Sequence, residues 1–450
     1  METQDVATEA SVLLAFRVEN VRSFRDRSDF SLLATGIAEK QFVRHVAWRE
    51  GGQSIGVLPV AGIFGSNASG KTNVLRSMND MRNHVLLSFR HGNPAGGVPR
   101  RAFMLDPAMR NAPSTFEIDL VLDGVRHEYG FTFNDEEFTE EWVYRYPRGR
   151  AALLFHRRGL QVEFPASERS LGNAITRLLR PNALFLSTAA SANHNVLLPL
   201  YSWFGRNLLL AEENTRPLRQ AFTRRMLDDD RRQQEVLALL HAADLGVRGA
   251  RNIELDPVMK ERMQRAIRIL NGVESDLDVP DDGPSFSDLG IHLIHQGFDG
   301  AELELPPNEE SLGTLTWFGL IGPVLDALAD GSVFLADELD SSLHPALVAQ
   351  LVRMFQDPVT NPRRGQLIFN SHDATLLGDA GDRLLGRDQV WFTEKLNNGS
   401  TRLYPLTDLD PRKQESIGRR YLAGRYGATP ILSDQEFDAV GELITAGAAG

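Results

Sequence analysis

The sequence predicts an α/β fold with an antiparallel β-subdomain and an inserted helical lobe, and three observations predict it. An apolar run over residues 57–64 leads into a glycine-rich turn and then a segment with Val74, Leu75, Met78, Met81 and Val85, the spacing of one buried helix face. Between Phe116 and Phe133, apolar residues alternate with mostly polar ones on both sides of Asp123-Gly124, a turn pair that signals a hairpin. Over residues 198–271 the pattern becomes helical and charged, and α/β character resumes over 311–404.

Taken in order, residues 1–10 lack the basic and apolar regions of a secretory leader and read as a disordered tail. A strand is expected over 12–21, running into Arg22-Ser23-Phe24, with a second near 30–34. Beyond the hairpin, further strands are expected around 142–146 and 153–155. In the helical segment Met259, Met263 and Ile267 recur at four-residue steps, with Lys260, Arg262, Arg265 and Arg268 elsewhere around the helix. That pattern is too short and broken for a long coiled coil and reads as a compact lobe, left through a loop at Asp281-Asp282-Gly283-Pro284. A final hairpin turns at Asn397-Asn398-Gly399. The expected division is a tail (1–11), a first part of the head (12–195), the helical lobe (196–285), a second part of the head (286–430) and a C-terminal tail (431–450).

The 450 residues are 42% hydrophobic and 24% charged, which suits a large core. No run is expected to approach the roughly 18–20 apolar residues of a membrane span. Cysteine is absent; this excludes disulfides, thiolate metal sites and cysteine nucleophiles, and fits a reducing cytoplasm. The balance of 48 basic against 60 acidic residues, −12 overall, argues against a general nucleic-acid binder, which needs clustered Lys and Arg; a local basic patch stays open.

Gly65-Ser66-Asn67-Ala68-Ser69-Gly70-Lys71-Thr72 matches G-x-x-x-x-G-K-[ST]. Its glycines let backbone N–H groups wrap phosphates at the positive end of the following helix. Lys71 would reach the β- and γ-phosphates of ATP, and the Thr72 hydroxyl would ligate Mg²⁺. A second apolar run, 333–336, ends in Asp337-Glu338, placing Asp337 near the Mg²⁺ shell and Glu338 where it could polarise the attacking water. Leu339-Asp340-Ser341-Ser342-Leu343-His344-Pro345 follows, with serines able to cap a helix and Pro345 suited to its first turn. The next strand, 366–369, ends at Asn370-Ser371-His372-Asp373, and a histidine at that edge can touch a γ-phosphate.

Walker A at Gly65 to Thr72, the acid pair Asp337-Glu338, a D-loop at Leu339-Asp340 and a switch histidine at His372 together resemble the ABC/SMC superfamily of P-loop ATPases. The opening Asn20-Val21-Arg22-Ser23-Phe24 is similar to the start of RecF-like, OLD-like and SMC-like members, and the resemblance implies that Arg22 approaches the nucleotide phosphates. The nearest match to the superfamily's Leu-Ser-Gly-Gly-Gln signature is Glu310-Ser311-Leu312-Gly313-Thr314. It keeps Ser311 and one glycine, Gly313, and lacks the final glutamine. A serine hydroxyl and free N–H groups at a helix start still make an anion site, which in this superfamily faces the γ-phosphate held by the other subunit. The Q-loop is expected near 184–187, but no glutamine lies between there and Leu197, leaving Asn193 or Asn195 as substitutes and the coupling to the lobe open.

Four segments, L-D-S-S-L-H-P, F-N-S-H-D-A-T-L-L, D-Q-V-W-F-T-E-K and Y-L-A-G-R-Y-G-A-T-P, narrow the resemblance to small stand-alone AAA-labelled ATPases of the RloA type, over residues 14–430. These occur in restriction-linked and anti-phage operons beside a separate effector, often with a TOPRIM-like nuclease fold. OLD-family relatives carry that nuclease themselves. Here Asp379, Asp382 and Asp388 are the nearest candidate acids and read as turn and surface residues. His292 and His295 lack a convergent acid pattern and read as ordinary histidines. Arg216, Arg219, Arg224, Arg225, Arg231 and Arg232, mixed with Asp228 to Asp230, read as a solvated face.

The resemblance therefore implies a homodimer or higher oligomer that clamps and hydrolyses ATP between two heads, each supplying Ser311 to the other, and that regulates a partner effector in the cytoplasm without a membrane. Alternatives are a RecF-like, ATP-dependent DNA-binding protein, with nucleic acid as partner, and a slow-turnover ATP-gated scaffold. A membrane transporter subunit fits least, given the atypical signature and the extra hairpins.

Overall fold

The computed structural model describes residues 11–430, apart from 50–51, 253–256, 259–260, 263, 266–290 and 379–382. The chain begins with β1 (Val12–Glu19) and β2 (Ser28–Ser31), paired antiparallel. After β3 (Arg44–Val46) and β4 (Ile55–Val57) come β5 (Val60–Gly65) and α1 (Lys71–Leu87). The expected 57–64 strand is thus split at Leu58-Pro59, where proline supplies no ladder N–H. A short helix α2 (Pro107–Asn111), with Asp106 as its N-cap, precedes the meander β6 (Ser114–Leu122), β7 (Val125–Phe133), β8 (Phe138–Arg145), β9 (Ala152–Arg158) and β10 (Gln161–Glu163). With β1 and β2 these form a seven-stranded sheet in the order β10-β9-β8-β7-β6-β1-β2. The Asp123-Gly124 turn has φ of 49° and 72°, as a two-residue primed hairpin turn requires.

Helices α3 (Arg169–Thr176), α4 (Phe185–Ser191) and α5 (Leu198–Arg206) lead to β11 (Leu208–Ala211), then α6 (Arg216–Met226), α7 (Asp230–Ala242) and β12 (Val247–Asn252). β12 forms a three-stranded sheet with β13 (Ile291–Gln296) and β14 (Glu302–Leu305). The last stretch holds α8 (Leu312–Asp330), β15 (Val333–Ala336), α9 (Pro345–Gln356), β16 (Gln366–Asn370), β17 (Val390–Lys395), β18 (Thr401–Pro405) and α10 (Ile417–Leu422). The central sheet runs β11-β15-β16-β5-β17-β18, parallel except for the β17–β18 hairpin. All the C-terminal ends of its parallel strands therefore face one edge.

Two expectations need correction. The 196–285 stretch is not wholly a helical lobe: β11 lies within it, residue for residue alongside β15, and β12 pairs with β13 from the next segment. The four residues of β11 are too few to show a strand period against the charged helices that follow. α8 also corrects the statement on apolar runs. It has 19 residues and mean hydropathy 1.4, long and apolar enough to cross a membrane, but 67% of that window is buried inside the protein. Its Gly319 and Gly322 let α6 approach: a Cβ on Gly322 would lie 2.6 Å from Thr223 Oγ1. The expected helix through Met259, Met263 and Ile267, the 281–284 loop, Asp379 and Asp382, and the tails 1–10 and 431–450 lie outside the described residues.

Two apolar clusters fill the space between layers, one spanning the β-subdomain, α1 and α4–α5, the other between α6–α9 and the central sheet. The buried Gln366 side chain joins the sheets. Its Oε1 accepts from Leu13 N at 2.7 Å and its Nε2 donates to Leu13 O at 3.0 Å.

Candidate nucleotide site

The glycine-rich turn leaves β5 at Gly65 and enters α1 at Lys71. Gly70 has φ 104°, and a Cβ there would fall 2.0 Å from Thr401 Oγ1, so no other residue fits. Gly65 is equally confined, with Thr393 O 2.5 Å from a Cβ position. Ala68, exposed at the tip with Asn67, takes φ 59°. The turn is fastened to the β17–β18 hairpin: Ser69 Oγ lies 2.6 Å from Thr393 Oγ1, and the Thr401 hydroxyl donates to Ser69 O at 2.8 Å. Lys71 is 5% exposed and folds back, donating to Gly65 O at 2.9 Å and Ser66 O at 3.0 Å. Burial lowers its pKa to about 8, and the nearby Glu338, Asp340 and Asp337 carboxylates counteract part of that shift. Thr72 follows it in the first turn of the helix, half-buried.

The acid pair lies at the same edge. Asp337 N donates to Ala211 O at 2.8 Å, which seats it against β11. Asn370, fully buried at the end of β16, donates from Nδ2 to Asp337 Oδ1 at 2.5 Å and accepts from Glu338 N at 2.5 Å. Glu338 takes φ 50° and is exposed. Asp340 Oδ2 accepts from His372 N at 3.2 Å, and His372 Nδ1 stands 3.5 Å from Lys71 Nζ. Asp340, His372 and Lys71 therefore meet.

Ser311 and Gly313 sit apart from the P-loop. No hydrogen bond joins them to residues 65–72 among the described residues. Ser311 is the N-cap of α8, its Oγ accepting from Thr314 N at 3.1 Å, and it is exposed. A Cβ on Gly313 would come 2.9 Å from Ser342 O, so the helix start abuts the chain just beyond Asp340.

Arg22 is not at the phosphate cradle in this structure. Its guanidinium forks onto Asp80 of α1, Nε to Oδ2 at 2.6 Å and Nη2 to Oδ1 at 2.9 Å. The bidentate pair turns two of its five N–H donors toward α1. The neighbouring Ser23 meets the P-loop instead, its Oγ accepting from Asn73 Nδ2 at 2.7 Å and lying 2.7 Å from Thr401 Oγ1.

Other readings also shift. The cap of α9 is His344, whose Nδ1 accepts from Ala346 N at 3.1 Å, and not Ser341 or Ser342. The 184–187 stretch is the buried α4, and Asn193 and Asn195 are exposed beyond it. The strand end beside Asp337 belongs to β11 and continues into Glu212-Glu213, with Glu212 bridged to Arg76 of α1. His292 faces Glu304 at 3.4 Å and His295 pairs with Glu310 at 2.7 Å. Asp388 is buried, accepting from Thr35 N at 2.6 Å. Arg216, Arg224, Arg231 and Arg232 pair with Glu213, Asp228, Glu235 and Asp326, a charge-balanced face that offers little to a phosphate backbone. Asn370, Ser23 and Thr401 were missed as site residues. Asn370 stands two places before His372 within a quoted segment, and only its burial at a strand end reveals its role.

This constellation defines a P-loop ATPase head of the ABC/SMC type. A family model described as "AAA domain, putative AbiEii toxin, Type IV TA system" matches residues 60–378, and the chain belongs to that family. A search of curated proteins finds no match. Among solved structures, the SMC head domain from Thermotoga maritima is similar at 12% identity and TM-score 0.38, over 87% of this chain and 98% of that one. An SMC head bound to the C-terminal winged-helix domain of ScpA is similar at 11% identity and TM-score 0.40, over 87% and 96%. A third, an SMC head with an extended coiled coil bound to the ScpA C-terminal domain, derived from Pyrococcus furiosus, gives 12% and 0.37 over 89% and 98%.

Proposed function

We propose that the protein binds and hydrolyses ATP between two heads and uses the cycle to regulate a separate effector, a nuclease being the expected kind, in an anti-phage or restriction-linked system. The observation that carries the hydrolytic part is the convergence of Lys71, Asp337, Glu338, Asp340 and His372 on one edge, arranged around Asn370. In this reading, backbone N–H groups of residues 66–72 and the start of α1 grip the triphosphate. Lys71 exchanges its two loop carbonyls for phosphate oxygens. Glu338 takes the proton of the attacking water, and His372 orients the terminal phosphate. The Thr72 hydroxyl and Asp337 carboxylate are hard oxygen donors that suit Mg²⁺, and Asn370 already fixes Asp337. Bound there, the ion would neutralise charge building on the phosphate oxygens.

In the two-headed arrangement the exposed Ser311, which caps the start of α8 and makes no hydrogen bond to its own P-loop among the described residues, would meet the terminal phosphate held by the other head. The family's description as a toxin of a Type IV toxin–antitoxin system supports a defence setting. The test is ATP turnover by the purified protein, its Lys71→Ala variant and its Glu338→Gln variant. Turnover equal in all three ends the hydrolytic reading. Co-purification with the product of the neighbouring gene, followed by mass measurement, tests the effector.

A further inference from the structure

Arg219 stands among arginines that read as a solvated face, yet it is 5% exposed. It projects from α6 into the junction of that helix, the start of α8 and the turn after β15. Its Nη2 donates to Glu212 O at 2.9 Å, while Nε and Nη1 are buried with no hydrogen-bond partner among the described residues. Burial pulls its pKa down to about 10. Buried polar donors usually have a partner, supplied by the protein, by ordered water or by a bound group.

A small cavity of about 40 Å³ adjoins it, lined by Arg219, Thr316, Glu213, Asp337 and Glu338. The charged groups acting on Arg219 are Glu213, Arg216 and Glu212 from its own segment; Asp337 and Glu338 of the β15 turn share the cavity wall with it, and α8 contributes Thr316 and Leu320. Of these, Asp337 is already committed to Asn370 and Glu213 to Arg216 at 2.8 Å. No hydrogen bond fixes the Glu338 carboxylate among the described residues. Among the described residues Arg219 is therefore the only cation lining this cavity, and Glu338 the only acid lining it whose carboxylate has no hydrogen bond, with Lys71 the other cation near it.

We propose that Arg219 is a positioning residue for hydrolysis: on closure of the site its free N–H groups hold the Glu338 carboxylate in the orientation that activates water. The inference rests on the hydrolytic reading above. It also explains how the signature end is coupled to the acid. α6 is pinned to α8 through Gln220 Nε2 to Leu315 O at 2.9 Å and Gly322 N to Thr223 Oγ1 at 3.0 Å, so a shift of Ser311 carries Arg219 with it.

The experiment compares full-length wild type, Glu338→Gln, Arg219→Met and Arg219→Lys, measuring kcat and the affinity for a fluorescent ATP analogue. Arg219→Met should lower kcat by roughly 10- to 100-fold and leave nucleotide affinity within about two-fold. Arg219→Lys keeps the charge without the fork and should recover part of kcat, a readout that stands even if the Met variant fails to fold. Wild-type kcat in both variants would overturn the inference, as would a loss confined to nucleotide binding. Turnover that needs Glu338 but not Arg219 sinks this inference alone, whereas a wild type that never turns over sinks it together with the reading beneath it.

Discussion

Glu141 in the β-subdomain and Lys71 at the sheet edge are both buried ionisable groups, and the molecule treats them in opposite ways. Glu141 accepts from the amides of Phe185 at 2.6 Å and Leu186 at 3.0 Å and from the Tyr129 hydroxyl at 3.2 Å, with Arg157 Nη1 3.6 Å away. Arg157 in turn donates to the carbonyls of Gly159, Ala183, Arg180 and Pro181. Burial raises the Glu141 pKa and lowers that of Arg157, and their mutual attraction opposes both shifts. Here the hydrogen-bonding capacity is spent inside the fold. At the edge, Lys71 borrows two carbonyls of its own loop, Asp340 Oδ1 is buried without a partner, and non-glycine residues at 68, 338 and 342 sit at positive φ. Strain and unused capacity that coincide beside the P-loop mark a surface that a ligand completes.

That contrast can be broken by mutation. The largest expected effect is on the finished side. Arg157→Met leaves the Glu141 carboxylate buried with two amides and the Tyr129 hydroxyl but no cation, and should cost about 3–5 kcal/mol of stability, read as a lower denaturant midpoint. ATP affinity measured well below that midpoint should stay within about two-fold; a parallel loss of affinity would show that subdomain and edge are not independent. Next, Gly70→Ala forces a Cβ into Thr401 at a left-handed φ. It should weaken ATP binding by at least about ten-fold, the order expected from strain of 1–3 kcal/mol, measured with the fluorescent analogue. Wild-type affinity would mean that the P-loop and the hairpin separate freely.

A smaller effect is expected for Asn370→Ala, which releases both Asp337 and Glu338. Turnover should fall by roughly ten-fold, as losing about 1–2 kcal/mol of orienting hydrogen bonds implies, with nucleotide affinity changing less. The smallest is a proton count. With the Lys71 pKa lowered to about 8 in the nucleotide-free protein, the lysine is about half protonated at pH 8. A bound triphosphate raises its pKa again, so binding should take up roughly half a proton at pH 8 and almost none at pH 6. Calorimetry in two buffers of different ionisation enthalpy measures this, and Lys71→Arg should abolish it.

Motifs carried by contiguous residues were legible in the sequence. Gly65 to Thr72, Asp337-Glu338 and His372 fall where their strand ends place them, and the Asp123-Gly124 hairpin forms with the expected turn. What was not legible depends on residues far apart in the chain. β11 looks like part of a helical lobe until the parallel partner β15 claims it. Arg22 reads as a phosphate ligand, and only the fold shows that Asp80, fifty-eight positions later, accepts from its Nε and Nη2. Arg219 shares its local pattern with the exposed arginines around it, and only the packing of α6 on the glycines of α8 buries it.

Thr401 has a further consequence. Its hydroxyl holds the carbonyl of Ser69 and stands beside Ser23, so the turn is braced by a residue 332 positions after Ser69. During synthesis the phosphate cradle stays unbraced until the β17–β18 hairpin has been made. A product that retained Gly65 to Thr72 but stopped before that hairpin would hold nucleotide poorly.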